Sequence, residues 1–201
     1  MATGCRHSIG IAAFALVLLA GRAQAHPHVI IDYTATLLFG EHGPTGIRFT
    51  WVFDEIYSAV LRTDFAKGDA TKLSPQAVKT IHDKAFANLV HFNYFLEIRQ
   101  GNEAPLKIDK VADFDAMFAN KRAVYQFTVP VGASDSGQVE IAAFDAEFYV
   151  HYILSASRPY GVEKADRFEV NCEVKRGTLR DTAGWGTIDT DAIACTWRRK
   201  P

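Results

Sequence analysis

The chain lacks the short motifs that identify most enzymes and nucleotide-binding proteins. It has no nucleophile elbow, no phosphate-binding loop, no zincin motif and no pair of cysteines separated by two residues. Serine and aspartate are present, but no spacing singles out a hydrolytic triad. Internal repeats and low-complexity tracts are also missing. The sequence therefore favours a binding protein over an enzyme of these classes.

Basic residues are too few and too scattered for a nucleic-acid surface. Lys and Arg together number 22, against 23 Asp and Glu. The short basic run at residues 198–200 is typical of a solvated chain end. We therefore expect no nucleic-acid partner. The length suits one domain with a hydrophobic core of its own.

Long apolar runs are missing too, and the one short run lies near the start. Residues 9–20 are apolar but too few to cross a bilayer as a helix. Arg6 precedes this run and a small-x-small pattern at residues 23–25 follows it, as in a secretory signal peptide. We predict that residues 1–25 are cleaved and that residues 26–201 form a single exported domain without a transmembrane helix. An uncleaved membrane anchor is the alternative.

Cysteine is scarce, with three in the whole chain and one of them, Cys5, in the leader. Cys172 and Cys195 remain, and an even pair in an exported protein indicates a disulfide. The apolar alternation around them places both sulfurs on the inner faces of predicted strands. Closing this loop would stabilise the fold by roughly 3 kcal/mol through the entropy of the unfolded chain. A pair of cysteine metal ligands is the less favoured interpretation in an oxidising compartment.

Two early segments alternate between apolar and polar residues. Residues 29–39 and 47–53 carry apolar side chains at every second position, and the residues between them are rich in Gly and Pro. This pattern predicts an antiparallel hairpin. We expect these side chains to be buried together: Val29, Ile31, Tyr33, Phe49, Trp51 and Phe53.

A helical section follows the hairpin. Asp54 is placed to cap one helix, and Ser74 with Pro75 predicts the start of another that runs to about residue 91. Strand character returns near residue 94. We therefore predict an α+β fold, an antiparallel β-sheet with a helical pair inserted after the second strand. A two-sheet β-sandwich with a helical insertion is the alternative.

Cleavage after residue 25 would leave His26-Pro27-His28 at the start of the mature chain. The two histidines would lie roughly 6.6 Å apart on one side of an extended backbone, so both imidazoles could bind one ion. His26 could also chelate through its free α-amine and ring, an arrangement that resembles the histidine brace of copper proteins. Pro27 has no N–H, which disfavours the amino-terminal copper and nickel motif. The alternative is that both histidines are ordinary exposed residues.

Further ligands are predicted in a polar stretch late in the chain. Asp145, Glu147, Tyr149 and His151 alternate along one face of a predicted strand. We expect Asp145 and His151 to be the internal metal ligands, and Tyr149 to be an axial ligand if the ion is copper. A solvent-facing strand surface is the alternative.

Three other acidic residues have lesser predicted roles. Asp32 shares the face of His28 but lies roughly 13 Å from it along an extended strand. It is therefore expected to support the ligands, lie at the surface or have a separate structural role. Asp54 or Glu55 could also donate a carboxylate to the ion, although helix capping already explains Asp54.

Three segments together carry a resemblance to a known family. They are HPHVIID at residues 26–32, FTWVFDEIYS at residues 49–58 and FDAEFYV at residues 144–150. The chain resembles the domain-of-unknown-function 1007 family of bacterial exported proteins, often labelled the periplasmic component of an uncharacterised ABC-type transport system. The resemblance covers essentially the whole mature chain. It implies a periplasmic location and an association with nickel/cobalt-type metal exporters, without a settled biochemical activity.

The chain departs from this family at two places. Members often have a more acidic, calcium-loop-like segment before the equivalent of residues 73–75, so a second metal site in that loop is not expected here. Members also often have Asp where this chain has His151, which weakens the resemblance as an argument for a ligand at that position.

Three functional hypotheses follow. The first is a periplasmic metal-binding accessory protein that buffers a divalent transition ion (Ni, Co, Zn or Cu) or delivers it to a membrane metal transporter or ABC-transporter permease. The second is a substrate-binding component of an ABC-type transporter for a small solute, which requires a deep apolar pocket. The third is a copper-dependent redox enzyme with an N-terminal histidine brace.

Overall fold

A computed structural model describes residues 29–66, 73–182 and 186–201. The predicted leader and the two N-terminal histidines, His26 and His28, lie outside the described residues. Within them the chain forms ten strands and two α-helices. In order these are β1 Val29–Gly40, β2 Gly43–Phe53, α1 Glu55–Phe65, α2 Pro75–Ile81, β3 Leu96–Gln100, β4 Ala112–Ala119, β5 Arg122–Pro130, β6 Ser136–Ala143, β7 Val150–Leu154, β8 Tyr160–Glu163, β9 Phe168–Asp181 and β10 Thr187–Arg199.

The first two strands form the antiparallel hairpin that the sequence pattern predicts. Ile31 lies opposite Phe53 and Tyr33 lies opposite Trp51. These four side chains are buried, and Val29 at the start of β1 is half-buried. The hairpin prediction is therefore confirmed, because alternation at period two places one face of each strand in the core.

The turn of this hairpin depends on a glycine. Only Glu41 and His42 connect β1 to β2, and Gly43 has a φ of +113°. A Cβ at this position would lie 2.0 Å from the carbonyl oxygen of Ser134. Both the backbone conformation and the close approach of residue 134 therefore require glycine.

Two sheets build the fold. The larger sheet has the strand order β4–β5–β2–β1–β7, and β8 also pairs with β1. Both β7 and β8 run parallel to β1, so this sheet is mixed. The smaller sheet has the order β3–β6–β10–β9 and is antiparallel at each pairing.

The predicted architecture, an antiparallel sheet with an inserted helical pair, is wrong. The described chain is mostly β, has two sheets, and its larger sheet is mixed. α1 packs mainly against β5, whereas α2 packs against β4 and the helical turn that follows it. Each helix therefore packs against a different strand of the larger sheet, and the two do not form a packed pair.

Local side chains start both helices. The carboxylate of Asp54 accepts the N–H of Tyr57 at 2.8 Å, and the hydroxyl of Ser74 accepts the N–H of Ala77 at 3.2 Å. Pro75 occupies the first helical position of α2, as predicted. In the described part of the chain no helix is long and apolar enough to cross a membrane.

The predicted second helix stops being α-helical earlier than expected. α2 ends at Ile81 and continues as a π-helical turn, His82–Phe86, and a 3-10 segment, Ala87–Phe95. This segment ends in consecutive residues with positive φ, of which Asn93 has 52° and Phe95 has 55°. The Asn93 amide donates to two carbonyls, and its oxygen accepts a backbone N–H, so side-chain bonds hold this unfavourable backbone.

Aromatic side chains fill the space between the sheets. The rings of Trp51 and Phe127 in the larger sheet lie 4.9 Å apart, and Trp51 is 5.3 Å from Tyr152 of β7. Phe39 of β1 contacts Phe168 of β9 in the smaller sheet, with ring centroids 5.0 Å apart. The two sheets therefore share one hydrophobic core.

The disulfide prediction is confirmed. Cys172 and Cys195 are bonded to each other and lie directly opposite in the pairing of β9 with β10. Cys195 is buried, and Cys172 lies on the outermost strand of the smaller sheet. The Tyr160 hydroxyl donates to the carbonyl of Cys172 at 2.8 Å, which ties β8 of the larger sheet to β9.

Candidate functional site

The start of β1 is held by backbone hydrogen bonds on both sides. The Asp54 carboxylate accepts the N–H of Ile30 at 2.8 Å, and the Ile30 carbonyl accepts the N–H of Asp54 at 2.9 Å. On the opposite side the N–H of Val29 donates to the carbonyl of Tyr149 at 3.3 Å, and Val29 is in register with Val150. The first two residues of β1 are therefore fixed between the β2–α1 corner and β7.

Asp145 builds the turn that leads into β7. Its side chain is only 4% exposed, and its carboxylate accepts the N–H groups of Glu147, Tyr149 and Val150 at 2.9, 3.0 and 3.0 Å. A carboxylate can accept about four hydrogen bonds, and these three charge-assisted bonds meet most of the hydrogen-bonding capacity of the buried Asp145 side chain. The carbonyl of Tyr149 accepts the N–H of Val29, so this turn also fixes the first residue of β1.

The prediction that Asp145, Glu147, Tyr149 and His151 share one face of a strand is wrong. β6 ends at Ala143, β7 begins at Val150, and the residues between them form a turn in which Phe148 has a φ of 63°. Asp145 is consequently buried, whereas Tyr149 and His151 are exposed. Ligand roles for Asp145 and His151 stay predictions, but the two side chains do not share a strand surface.

His151 lies beside the start of β1. It is in register with Ile30 in the parallel pairing of β1 with β7, and its side chain is exposed. It also lines a cleft of about 250 Å³ together with Phe148, Tyr152 and Asp189. An imidazole is therefore available beside the point where the N-terminal segment joins the fold.

The predicted carboxylates of Asp32 and Glu55 have structural roles in the fold. Asp32 forms an ion pair with Arg122, at 2.8 Å between Oδ2 and Nη1, and Arg122 also donates to the carbonyl of Val52. This contact links β1 to β5 across β2. Glu55 is exposed in the first turn of α1, where a negative charge favours the helix N-terminus.

Two tyrosines, the buried Tyr152 and the half-buried Tyr57, lie near the two carboxylates of this region. Burial raises the pKa of Tyr152 well above its ordinary value, and the charge of Asp145 raises it further. Burial and the nearby charge of Asp54 likewise raise the pKa of Tyr57. Both phenols therefore stay protonated at physiological pH and do not offer a phenolate ligand.

The central predicted ligands, His26 and His28, lie outside the described residues. Within residues 29–66, 73–182 and 186–201, no group of three or more His, Cys, Asp or Glu side chains is placed to hold a metal ion.

Sequence reasoning missed the contacts that fix the start of β1. The bond from Ile30 to Asp54 joins residues 24 positions apart, and the pairing of Asp32 with Arg122 joins different strands. Capping identifies Asp54 from its neighbours alone, but no local pattern reveals its second partner. These contacts become visible only once the strand order is known.

Residues 11–183 match the family described as "Protein of unknown function (DUF1007)", and the chain belongs to this family. No curated protein matches the chain.

Proposed function

We propose that this protein is a periplasmic metal-binding accessory protein, which buffers a divalent transition metal ion or delivers it to a membrane transporter. His26 and His28 are the primary ligands in this proposal, and His151 is the internal residue best placed to join them. The observation that carries the proposal is the fixed start of β1. The chain enters this strand directly after His28, at a point held on both sides and next to His151.

The register of β1 and β7 favours His151 as a third ligand. Ile30 lies opposite His151, and residues two apart in an extended chain share a face. An extended chain before Val29 would therefore bring His28 to this same face. Strands lie roughly 4.8 Å apart and two residues span roughly 6.6 Å, which gives a backbone separation of roughly 8 Å. Two imidazoles at that separation can bind one ion.

Asp145 has a supporting role in this proposal. Its carboxylate holds the turn whose Tyr149 carbonyl binds Val29, and that turn also leads into the strand that carries His151. A metal ion at Asp145 would have to compete with three backbone N–H groups. Direct ligation by Asp145 stays a prediction, and the hydrogen bonds favour a role in positioning.

The donor set favours a transition metal over calcium or magnesium. Imidazole and amine nitrogen suit Ni, Co, Zn and Cu, whereas the hard alkaline-earth ions prefer oxygen. An α-amine has a pKa of about 7.7–8.0, so a metal displaces its proton at modest cost near neutral pH. Copper would bind most tightly on intrinsic grounds, which does not identify the physiological ion.

Exposed apolar side chains beside the site favour delivery to a partner. Ile30 is 38% exposed and Ile153 is 40% exposed on the same sheet face as His151, and Ile56 at the start of α1 is 81% exposed. Apolar residues gathered around a polar site are typical of a docking surface. In this proposal they contact the membrane transporter that receives the ion.

One observation favours the second candidate, a binding component for a small solute. The cleft of about 250 Å³ beside β7 is lined by apolar side chains with His151, Asp189 and Thr190 as polar groups. Ligand pockets usually measure about 300–1,000 Å³, so this cleft suits only a very small molecule. The third candidate, a copper-dependent redox enzyme, would use the same His26 together with Tyr149.

Calorimetric titration with Cu(II), Ni(II) and Zn(II) tests the metal proposal. We expect mature protein starting at His26 to bind more tightly than protein with two extra N-terminal residues, because the extension converts the amine into an amide. His28→Ala and His151→Ala should each weaken binding, by about tenfold or more. His91→Ala, an exposed histidine on the 3-10 segment, is the matched control and should leave the affinity unchanged.

Four outcomes of this titration would count against the proposal in different ways. Equal affinities of mature and extended protein would exclude the amine as a ligand. An unchanged affinity for His151→Ala would confine the site to the N-terminal segment. No binding by mature protein, or binding unaffected by His28→Ala, would reject the metal function and leave the small-solute cleft as the better candidate.

A further inference from the structure

A second groove lies on the other side of the turn that Asp145 builds. It has a volume of about 320 Å³ and is formed where the 3-10 segment meets residues 144–147. The N–H of Phe144 donates to the carbonyl of Phe95 at 3.0 Å, which joins the two walls. Aromatic rings and carboxylates share the lining, which includes Phe92, Phe95, Phe144, Asp145 and Glu147.

The aromatic wall is held open to solvent. Phe92 is 54% exposed, and its ring stacks on that of Phe95, with centroids 5.4 Å apart and planes inclined by 12°. The backbone from Asn93 to Phe95 is left-handed, a conformation unfavourable for residues with side chains, and the side-chain hydrogen bonds of Asn93 maintain it. The fold therefore maintains an unfavourable backbone next to an exposed Phe92 ring that stacks on a half-buried Phe95, and ligand sites often contain such backbone.

The acidic wall carries negative charge. The bonds that Asp145 accepts come from neutral backbone N–H groups, which do not cancel its charge. Glu147 is exposed beside it. Glu97 at the far end of the groove differs, because it lies 3.0 Å from Arg99 and 3.1 Å from Arg180. The negative charge therefore concentrates at the Asp145 and Glu147 end of the groove.

We propose that this groove binds a small organic cation, an alkylated or quaternary ammonium group. The cation would lie over the outer face of the exposed Phe92 ring, which is electron-rich and is backed by the stacked Phe95 ring, with the Glu147 carboxylate as its counter-charge. Aromatic walls offer no ligand to a strongly hydrated metal ion but suit a cation that carries methyl groups. This site requires neither His26 nor His28 and is separate from the proposed metal site.

Choline and its uncharged analogue 3,3-dimethylbutanol provide a matched pair of probes. NMR titration of the mature protein should show saturable choline binding, at least about fivefold tighter than binding of the neutral analogue. Phe92→Leu and Glu147→Gln should each weaken choline binding by about two- to fivefold. Phe148→Leu removes a ring of similar exposure on the other side of the turn and should leave choline binding unchanged.

The variants are chosen so that folding does not obscure the result. Phe92 and Glu147 have exposed side chains, and the backbone N–H of residue 147 remains available to Asp145 in Glu147→Gln. Thermal unfolding of each variant checks this. Absence of saturable binding, equal affinity for the neutral analogue, or equal weakening by Phe148→Leu would overturn the proposal. Loss of choline binding in His28→Ala would also overturn it, since the two sites would then be one.

Discussion

At the scale of residues, two aspartates do much to define the site. Asp54 and Asp145 each accept backbone N–H groups, and together they hold the start of β1 and the turn before β7. Capping chemistry predicts Asp54 from the sequence because its partner Tyr57 is three residues away. The role of Asp145 was not predictable in this way. Polar residues at every second position indicate a strand there, but the chain forms a turn in which Phe148 has a positive φ.

Asp145→Ala should destabilise the fold strongly. It leaves three backbone N–H groups of the turn without their acceptor, and we expect the free energy of unfolding to fall by about 3 kcal/mol. Urea denaturation measures this directly. Glu147→Ala changes an exposed carboxylate in the same turn and should stay within about 0.5 kcal/mol of wild type. A loss below about 1 kcal/mol for Asp145→Ala would contradict its structural role.

Glu140 should make the stability depend on acid pH. Burial raises the pKa of Glu140, but hydrogen bonds and charges from Lys175 and Arg180 outweigh this and hold the pKa below its ordinary value. A carboxylate with a lowered pKa stabilises the fold above the unfolded-state pKa of about 4.3, and this stabilisation is lost as pH falls through the folded-state value.

Glu140→Gln tests this assignment through denaturation at several pH values. The variant should be less stable than wild type by about 1–2 kcal/mol at pH 7. The difference should shrink below about pH 4, where wild type loses the charge as well. Glu169→Gln removes a more exposed pairing with Arg198 and should have a smaller effect at every pH. A difference that stays constant down to pH 2 would show that charge is not the cause.

At the scale of elements, the sequence predicted those strands and helix starts that depend on residues close together in the chain. The β1–β2 hairpin and the helix starts at Asp54 and Ser74 follow from neighbours in sequence, and all are present. The parallel pairing of β7 and β8 with β1 was not predictable in this way. Ile31 pairs with Tyr152, far along the chain, and neither segment carries a signal of strand direction.

Asp54 connects two elements, and its substitution should reflect both. Ser74 caps only α2, so Ser74→Ala should cost about 1 kcal/mol. Asp54→Ala loses the cap of α1 and the anchor of Ile30, and should cost about 2 kcal/mol or more. Hydrogen exchange adds a specific readout, because the Ile30 amide should lose protection only in the Asp54 variant. Equal stability losses with Ile30 protected in both variants would contradict the anchoring role.

At the scale of the whole molecule, two sheets enclose one core and a cross-strand disulfide lies at the edge of the smaller sheet. Cysteine count and strand alternation predicted the pairing of Cys172 with Cys195. The division into two sheets was predicted only as an alternative, because alternation indicates which side chains face inward but not which strands are neighbours. This arrangement brings β7 and its His151 beside the start of β1, so the proposed metal site depends on the global topology.

Elemental analysis of mature protein purified from the periplasm tests the central proposal most directly. N-terminal sequencing first establishes that the chain begins at His26. We expect a divalent transition metal in near-stoichiometric amount in this protein, and its loss from a His26→Ala, His28→Ala double variant purified in the same way. Contents of transition metal that are negligible in the mature protein, or equal in the mature protein and the double variant, would contradict the account.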